Sequence, residues 1–209
     1  MANINVKRKA QWEAIMRGSV YDASMKVLDE FGFKGLTMER VAKEADVSTG
    51  TLYNYFSNKE EIIKHVIETA FEPLKAELES IMQSGMQPVE KLRSIICTVL
   101  NAIEEKRTLL EIIRAAEVAS EEIRALRQSK HVFFEDLIAS VVREGVASGD
   151  FIYDAELGGV LVFCLLDGLV GWKLDTGRRL GDIAGESEAC LSLALKGLMS
   201  EFPVCNKPE

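Results

Sequence analysis

Apolar residues recur along this chain at the three- and four-residue spacing of helices, and no stretch sustains the alternation of a strand. Val20, Ala23, Val27, Leu28 and Phe31 stand at offsets 0, 3, 7, 8 and 11, one face of a helix that Gly32 ends. Met38, Val41, Ala42 and Ala45 repeat the pattern at 0, 3, 4 and 7, with Thr37 placed as the cap. Ser48 can cap a third short helix anchored by Leu52 and Phe56. Ser57-Asn58-Lys59-Glu60 reads as a capping box that opens a fourth helix along Ile62, Ile63, Val66, Ile67 and Ala70. Pro73 falls in the continuation of that helix toward Met82, where it is expected to kink or split it.

Gly85 and Pro88 mark a break, followed by one clear stripe through Val89, Leu92, Ile95, Ile96, Val99, Leu100 and Ile103. Helices are then predicted over about 108–119, 121–147, 154–176 and 187–202, with Asp154 as a cap, and 203–209 reads as a frayed end. The fold class is therefore all-α, with about nine helices. The helix after Asp154 is apolar on nearly every side and must be covered all round. Its most apolar run, 157–170, contains Asp167 and is shorter than the roughly 20 residues of a membrane span, so it reads as a buried helix. Gly158, Gly159, Gly168 and Gly171 suit close helix approach.

Two of the short helices meet at Ala45-Asp46-Val47-Ser48, a tight turn that needs one residue near left-handed geometry, for which Asp46 is tolerable. Ala42 lets the second helix cross closely, and Val47 and Leu52 plug the junction. This is a helix-turn-helix, whose second helix would lie in a major groove with its N-terminal residues toward base edges. The residues there suit that task. Ser48, Thr49 and Thr51 offer hydroxyls, Gly50 lets backbone approach closely, Tyr53 and Tyr55 carry phenols, and Lys59 adds a cation. Thr37 and Ser48 can serve as caps alone, Tyr53 and Phe56 as core aromatics, and Tyr55 and Lys59 as solvated side chains.

Charge is unevenly distributed. The chain carries a net −8, yet residues 1–59 hold nine Lys/Arg against seven Asp/Glu, and the acidic excess lies beyond them. Lys7, Arg8 and Lys9 form either a basic arm that touches DNA or a disordered tail. No apolar run follows Met1 to make a secretory leader. Cys97, Cys164, Cys190 and Cys205 have no CxxC spacing, and the first three sit in apolar helical stretches, so buried free thiols in a reducing cytoplasm are expected. Two histidines, His65 and His131, make a metal site improbable, and no cofactor is expected. There is no nucleophile–base grouping and no phosphate loop, so the chain does not read as an enzyme and no catalytic residues are assigned.

The run Thr37…Val41-Ala42…Ala45-Asp46-Val47-Ser48-Thr49-Gly50-Thr51-Leu52-Tyr53…Tyr55-Phe56…Lys59-Glu60 resembles the TetR family of transcription regulators. The resemblance covers about residues 15–65, and Asp46 stands where that family usually has glycine. It implies a DNA-binding domain over 1–60 and an effector-binding and dimerisation domain over 61–209. It further implies DNA contacts at Thr37, Thr49, Gly50, Thr51, Tyr53, Tyr55 and Lys59, with Met38 or Glu39 as contributors. The expected partners are double-stranded operator DNA, a second copy joined through the last two helices, and a small-molecule effector, with no membrane.

Arg114, Glu117, Phe133, Phe134, Cys164, Asp167 and Trp172 are candidate effector contacts, being aromatic or polar groups among apolar neighbours. Simple core aromatics and an Arg114–Glu117 ion pair at i,i+3 account for the same residues. A hydrophobic or amphipathic effector fits this composition better than a charged one. The alternative is an architectural DNA-binding protein of the same fold with no effector.

Overall fold

The computed structural model of the chain describes residues 2–179 and 181–199. It is helical, with α1 Ala2–Gly35, α2 Met38–Glu44, α3 Thr49–Tyr53, α4 Lys59–Gln83, α5 Pro88–Glu105, α6 Arg107–Ala119, α7 Glu121–Ser148, α8 Ala155–Asp175 and α9 Ile183–Met199. No strand occurs among the described residues. The chain divides into two compact units, residues 1–73 with 108–127, and residues 74–107 with 128–209.

The first unit is built on α1, α2, α3 and the start of α4. Val20, Ala23, Val27 and Leu28 bury the predicted face of α1 against Val41, Leu52, Phe56 and Ile63, and Leu109, Ala116 and Ile123 join the same cluster. Gly32 breaks the helical path with φ 63°, a left-handed value that glycine takes without strain. Phe31 departs from expectation, being 45% exposed, because the Arg40 guanidinium rather than the core covers one face of its ring, 4.4 Å from the centroid. The segment carrying Lys7, Arg8 and Lys9 is part of α1.

Two local expectations shift. The cap of α4 is Asn58, whose Oδ1 accepts the Glu61 N–H at 2.8 Å, and Glu61 rather than Glu60 reaches back to the Ser57 N–H at 2.6 Å. Pro73 does not split α4, which continues to Gln83. Pro73 is exposed, so water can take the backbone carbonyl that it leaves without a donor.

The second unit centres on Leu78, Leu92, Ile96, Leu100, Val141, Val142, Phe151 and Val162. Asp154 caps α8, accepting the Leu157 N–H at 2.8 Å. Gly158, Gly159, Val162, Phe163 and Leu166 face inward from α8. A Cβ on Gly159 would stand 2.6 Å from the Ala139 Cβ, so glycine is what lets α8 seat on α7. Gly168 has open space around it and serves no such purpose.

The outer side of α8 is a correction to the all-round burial expected. Leu157, Val160, Leu161 and Trp172 are 40–50% exposed, and Cys164 on the same side is exposed rather than buried. Cys190 is buried and Cys97 half-buried, while Cys205 lies outside the described residues. Burial, and next the nearby Glu186 charge, push the Cys190 thiol up, away from its reactive form. At 21 residues α8 is long and apolar enough to cross a membrane, so length does not exclude a span. Asp167 near its middle and the buried Lys173, ion-paired to Glu186, suit a packed helix instead.

Candidate nucleic-acid interface

The helix-turn-helix is assembled from short-range hydrogen bonds that the sequence dictates. Thr37 takes extended backbone geometry and its hydroxyl accepts the Arg40 N–H at 3.3 Å. Arg40 also donates to the Gly35 carbonyl at 2.7 Å, fastening the start of α2 to the end of α1. At the turn, Asp46 adopts φ 54°, as its position requires, and the Val47 N–H donates back to the Ala42 carbonyl at 2.9 Å. Ser48 caps α3, accepting the Thr51 N–H at 3.0 Å, and its hydroxyl also lies 2.8 Å from that of Thr51.

These bonds orient α3. Leu52 is wholly buried on its inner side and Phe56 is 3% exposed. Gly50 and Tyr53 face outward, Tyr53 at 51% exposure, with Thr49 and Thr51 half-buried at the helix start. Tyr55 is half-buried and packs against the first unit's core. Gly50 is conspicuous because nothing in the chain demands it. A Cβ there would meet only the Ser48 Oγ, at 3.8 Å, and its φ is not positive. The glycine leaves this exposed part of α3 without a side chain.

Around α3 lie cations carried on aromatic rings. The Lys59 Nζ stands 4.3 Å from the Phe33 ring centroid, and the Arg17 guanidinium 5.3 Å from that of Phe56. His65 bonds the Arg17 carbonyl through Nε2 at 2.9 Å and packs against Phe56. Phe33, Arg17 and Arg40 went unselected in the sequence because only the folded turn brings them to these partners. Glu39, at the start of α2, has its carboxyl held below the usual range, first by its own backbone N–H and then by Thr37.

Residues 20–66 match the bacterial regulatory proteins of the tetR family, a span that begins in α1 and contains all of α2 and α3. Residues 20–66 thus match the regulatory domain of the tetR family. The chain is 26% identical over 157 residues to the transcriptional repressor KstR of Mycobacterium tuberculosis, covering 75% of this chain and 70% of that one. It is 22% identical over 184 residues to the fatty acid metabolism regulator protein of Bacillus subtilis, covering 86% and 93%. The solved structure of FadR from Bacillus subtilis in complex with stearoyl-CoA superposes with a TM-score of 0.68 at 25% identity, covering 86% of this chain and 98% of that one. The protein is a DNA-binding transcriptional regulator.

The seven candidate effector residues do not gather in one place within either unit. Arg114 and Glu117 belong to the first unit, and the other five to the second. Glu117 is buried and pairs across ten residues with Arg127 at 2.7 Å, while its Oε1 has no hydrogen-bond partner. In the second unit, Phe133 meets Phe134 edge-on at 5.5 Å, and Phe134 stacks on Phe163 at 6.5 Å. His131, which is not among the seven, packs on Phe163 at 5.0 Å and lies 3.7 Å from Asp167. Cys164 and Trp172 instead occupy the exposed outer side of α8, where Arg178 covers the Trp172 ring at 4.8 Å.

A shallow apolar groove of about 370 Å³ runs between α8 and α9, lined by Tyr153, Leu161, Leu165, Leu193 and Leu198 among others. Leu193 on its α9 side is 61% exposed.

Proposed function

We propose that the protein is a repressor that binds a palindromic operator as a homodimer and is released by an apolar or amphipathic small molecule. Residues 1–60 bind DNA and residues 61–209 bind the effector and the second subunit. Thr37, Ser48, Thr49, Gly50, Thr51, Tyr53, Tyr55 and Lys59 contact the duplex, the threonines and Gly50 nearest the bases and the phenols and Lys59 at phosphates. The observation that carries this reading is the outward side of α3, where Gly50 is needed by no neighbour and Tyr53 stands half-exposed over a fully buried Leu52.

The exposed apolar side of α8, continued by Leu193 of α9, is the surface that a second copy covers. An isologous pair buries the same patch twice, and two recognition helices about 34–36 Å apart read a palindrome. For the effector, Phe133, Phe134 and Asp167, with His131, supply an apolar patch with a polar edge. One similar structure holds stearoyl-CoA, so a long-chain acyl thioester is the class to try first. Helix α4 runs unbroken from the first unit past Pro73 into the second and is the covalent route between them. A coupling of about 1–3 kcal/mol along it suffices to free the operator. The protein acts in the cytoplasm, on chromosomal DNA.

Selection of bound fragments from genomic DNA should return a palindrome. Stearoyl-CoA, free stearate and coenzyme A titrated against the protein–operator complex should release it in that order of potency. Operator binding that no acyl ligand alters would favour the architectural alternative, and failure to enrich any palindrome would remove the DNA-binding assignment.

A further inference from the structure

We infer that Phe33 is a positioning residue for DNA binding, whose ring holds the Lys59 ammonium in place for a backbone phosphate of the duplex. The inference deepens the proposed DNA reading, in which Lys59 is a phosphate contact, and rests on it.

Two phenylalanines flank the break at Gly32, Phe31 exposed and Phe33 half-buried against the first unit's core. Each ring carries one cation. The Arg40 guanidinium stands 4.4 Å from the Phe31 centroid, and the Lys59 Nζ stands 4.3 Å from that of Phe33. Both lie inside the roughly 6 Å reach of a cation–π attraction. The second pair joins the end of α1 to the start of α4, so it brackets the helix-turn-helix in the chain.

The two cations differ in what else they do. Arg40 also donates to the Gly35 carbonyl at 2.7 Å, a bond internal to the protein. The Lys59 ammonium has no carboxylate or carbonyl partner among the described residues, and nearby Glu61 reaches back to the Ser57 N–H instead. An ammonium has three N–H donors, and a ring face draws its charge while leaving donors for an anion. Lys59 is also the first residue of α4, where the positive end of the helix dipole disfavours a cation. The Phe33 ring attracts the charge that the helix end repels.

This arrangement serves binding through order. A lysine free in water loses its rotamer freedom when it meets a phosphate, whereas one already seated on a ring loses less. The partner is sugar–phosphate backbone, since a compact ammonium recognises charge rather than base identity.

A double-mutant cycle tests it. Operator affinity is measured by fluorescence anisotropy from 50 to 300 mM KCl for the full-length protein, Phe33→Leu, Lys59→Gln and the double variant, at a temperature where urea unfolding shows each to be folded. Lys59→Gln should flatten the log–log salt slope by about 0.9 per subunit. Phe33→Leu leaves the charge in place, so it should keep the slope within about 0.3 while weakening binding by about 2- to 5-fold per subunit. Once Lys59 is Gln the ring has no cation to seat, and Phe33→Leu should then cost less than about 1.5-fold. Phe33→Trp keeps an aromatic face and should hold affinity within about two-fold. Phe31→Leu strips the other ring and should multiply independently with Lys59→Gln. A readout without DNA or variants is the Lys59 ε-CH2 proton resonance, which the Phe33 ring should displace upfield of the other lysines.

Effects of Phe33→Leu and Lys59→Gln that simply multiply would overturn the inference and leave Phe33 as packing alone, with the α3 reading intact. So would a Lys59 ε-CH2 resonance that coincides with those of the other lysines, or a Lys59→Gln protein with unchanged slope and affinity. An unaltered protein that binds no duplex would overturn the DNA reading and this inference with it.

Discussion

The outer sides of α3 and α8 are both exposed, and they call for partners on different grounds. The α3 side presents Thr49, Gly50 and Tyr53, groups that water solvates well, so nothing in its energetics requires an occupant. Its partner is read from the chemistry of those groups and from a glycine that the fold does not need. The α8 side presents Leu157, Val160, Leu161 and Trp172, whose exposed apolar surface costs roughly 25 cal/mol per Å². That side demands a cover on physical grounds alone, while saying less about what covers it. The polar surface names its partner without needing it, and the apolar surface needs one without naming it.

The sharpest way to break this contrast is to charge the apolar side. Leu161→Arg places a guanidinium at a half-exposed position that lines the groove between α8 and α9, so the monomer should fold normally. Two such charges across a two-fold interface repel and cannot be solvated, costing several kcal/mol. Sedimentation should shift from dimer to monomer, and operator affinity should fall by about 100-fold or more as two linked half-sites become separate. Thiol labelling offers a second readout in a Cys205→Ser background. Cys164 should react slowly in the dimer and quickly in the variant, with buried Cys190 slow in both. A stable dimer with unprotected Cys164 would show that α8 is not the interface.

Two glycines sharpen the comparison further. At Gly159 a Cβ would stand 2.6 Å from the Ala139 Cβ and 2.8 Å from its backbone, neither of which is the end of a flexible side chain. Gly159→Ala should destabilise the protein by roughly 1–3 kcal/mol in urea unfolding, the usual cost of overpacking. At Gly50 the same methyl meets nothing closer than 3.8 Å, and helix propensity favours alanine. Gly50→Ala should leave the protein as stable or up to about 1 kcal/mol more so, yet weaken operator binding by about 10-fold as the methyl meets DNA. A Gly50→Ala protein with both higher stability and full affinity would deny α3 close approach to the duplex.

What could be read from the sequence follows from how local each cause is. The breaks at Gly32 and Asp46 and the caps at Thr37, Ser48 and Asp154 depend on a few adjacent residues, and all were legible. The cap of α4 missed by one position, because Ser57 and Asn58 are comparable caps and the choice falls to whichever glutamate reaches back. Side-chain partners set by tertiary packing were not legible. Glu117 could be matched within its own helix only to Arg114, whereas the fold gives it Arg127 from α7. The apolar pattern of α8 likewise shows no preferred side, and only packing on α7 and α9 decides that Cys164 and Trp172 face out. The candidates around α3 are brought together by one short turn, while the effector candidates are spread over three helices in two units.

The smallest expected effect returns to the polar surface, at Glu39. Its carboxyl is held below the ordinary range by its own backbone N–H and then by Thr37, so the ionised form is favoured in the folded state. A lowered value means that this contribution is present above the ordinary carboxylate pKa, about 4.3, and is lost as pH falls through the folded value. Glu39→Gln should therefore melt slightly below the unaltered protein at pH 7, and the gap should close by about pH 3. On DNA the sign reverses. The carboxylate sits two residues from Thr37, a proposed DNA contact, so removing its charge beside the polyanion should raise operator affinity by about two- to three-fold at low salt, with the gain fading as salt screens it. An affinity gain that persists at 300 mM KCl, or a stability gap equal at pH 3 and pH 7, would mean that Glu39 acts through its shape rather than its charge.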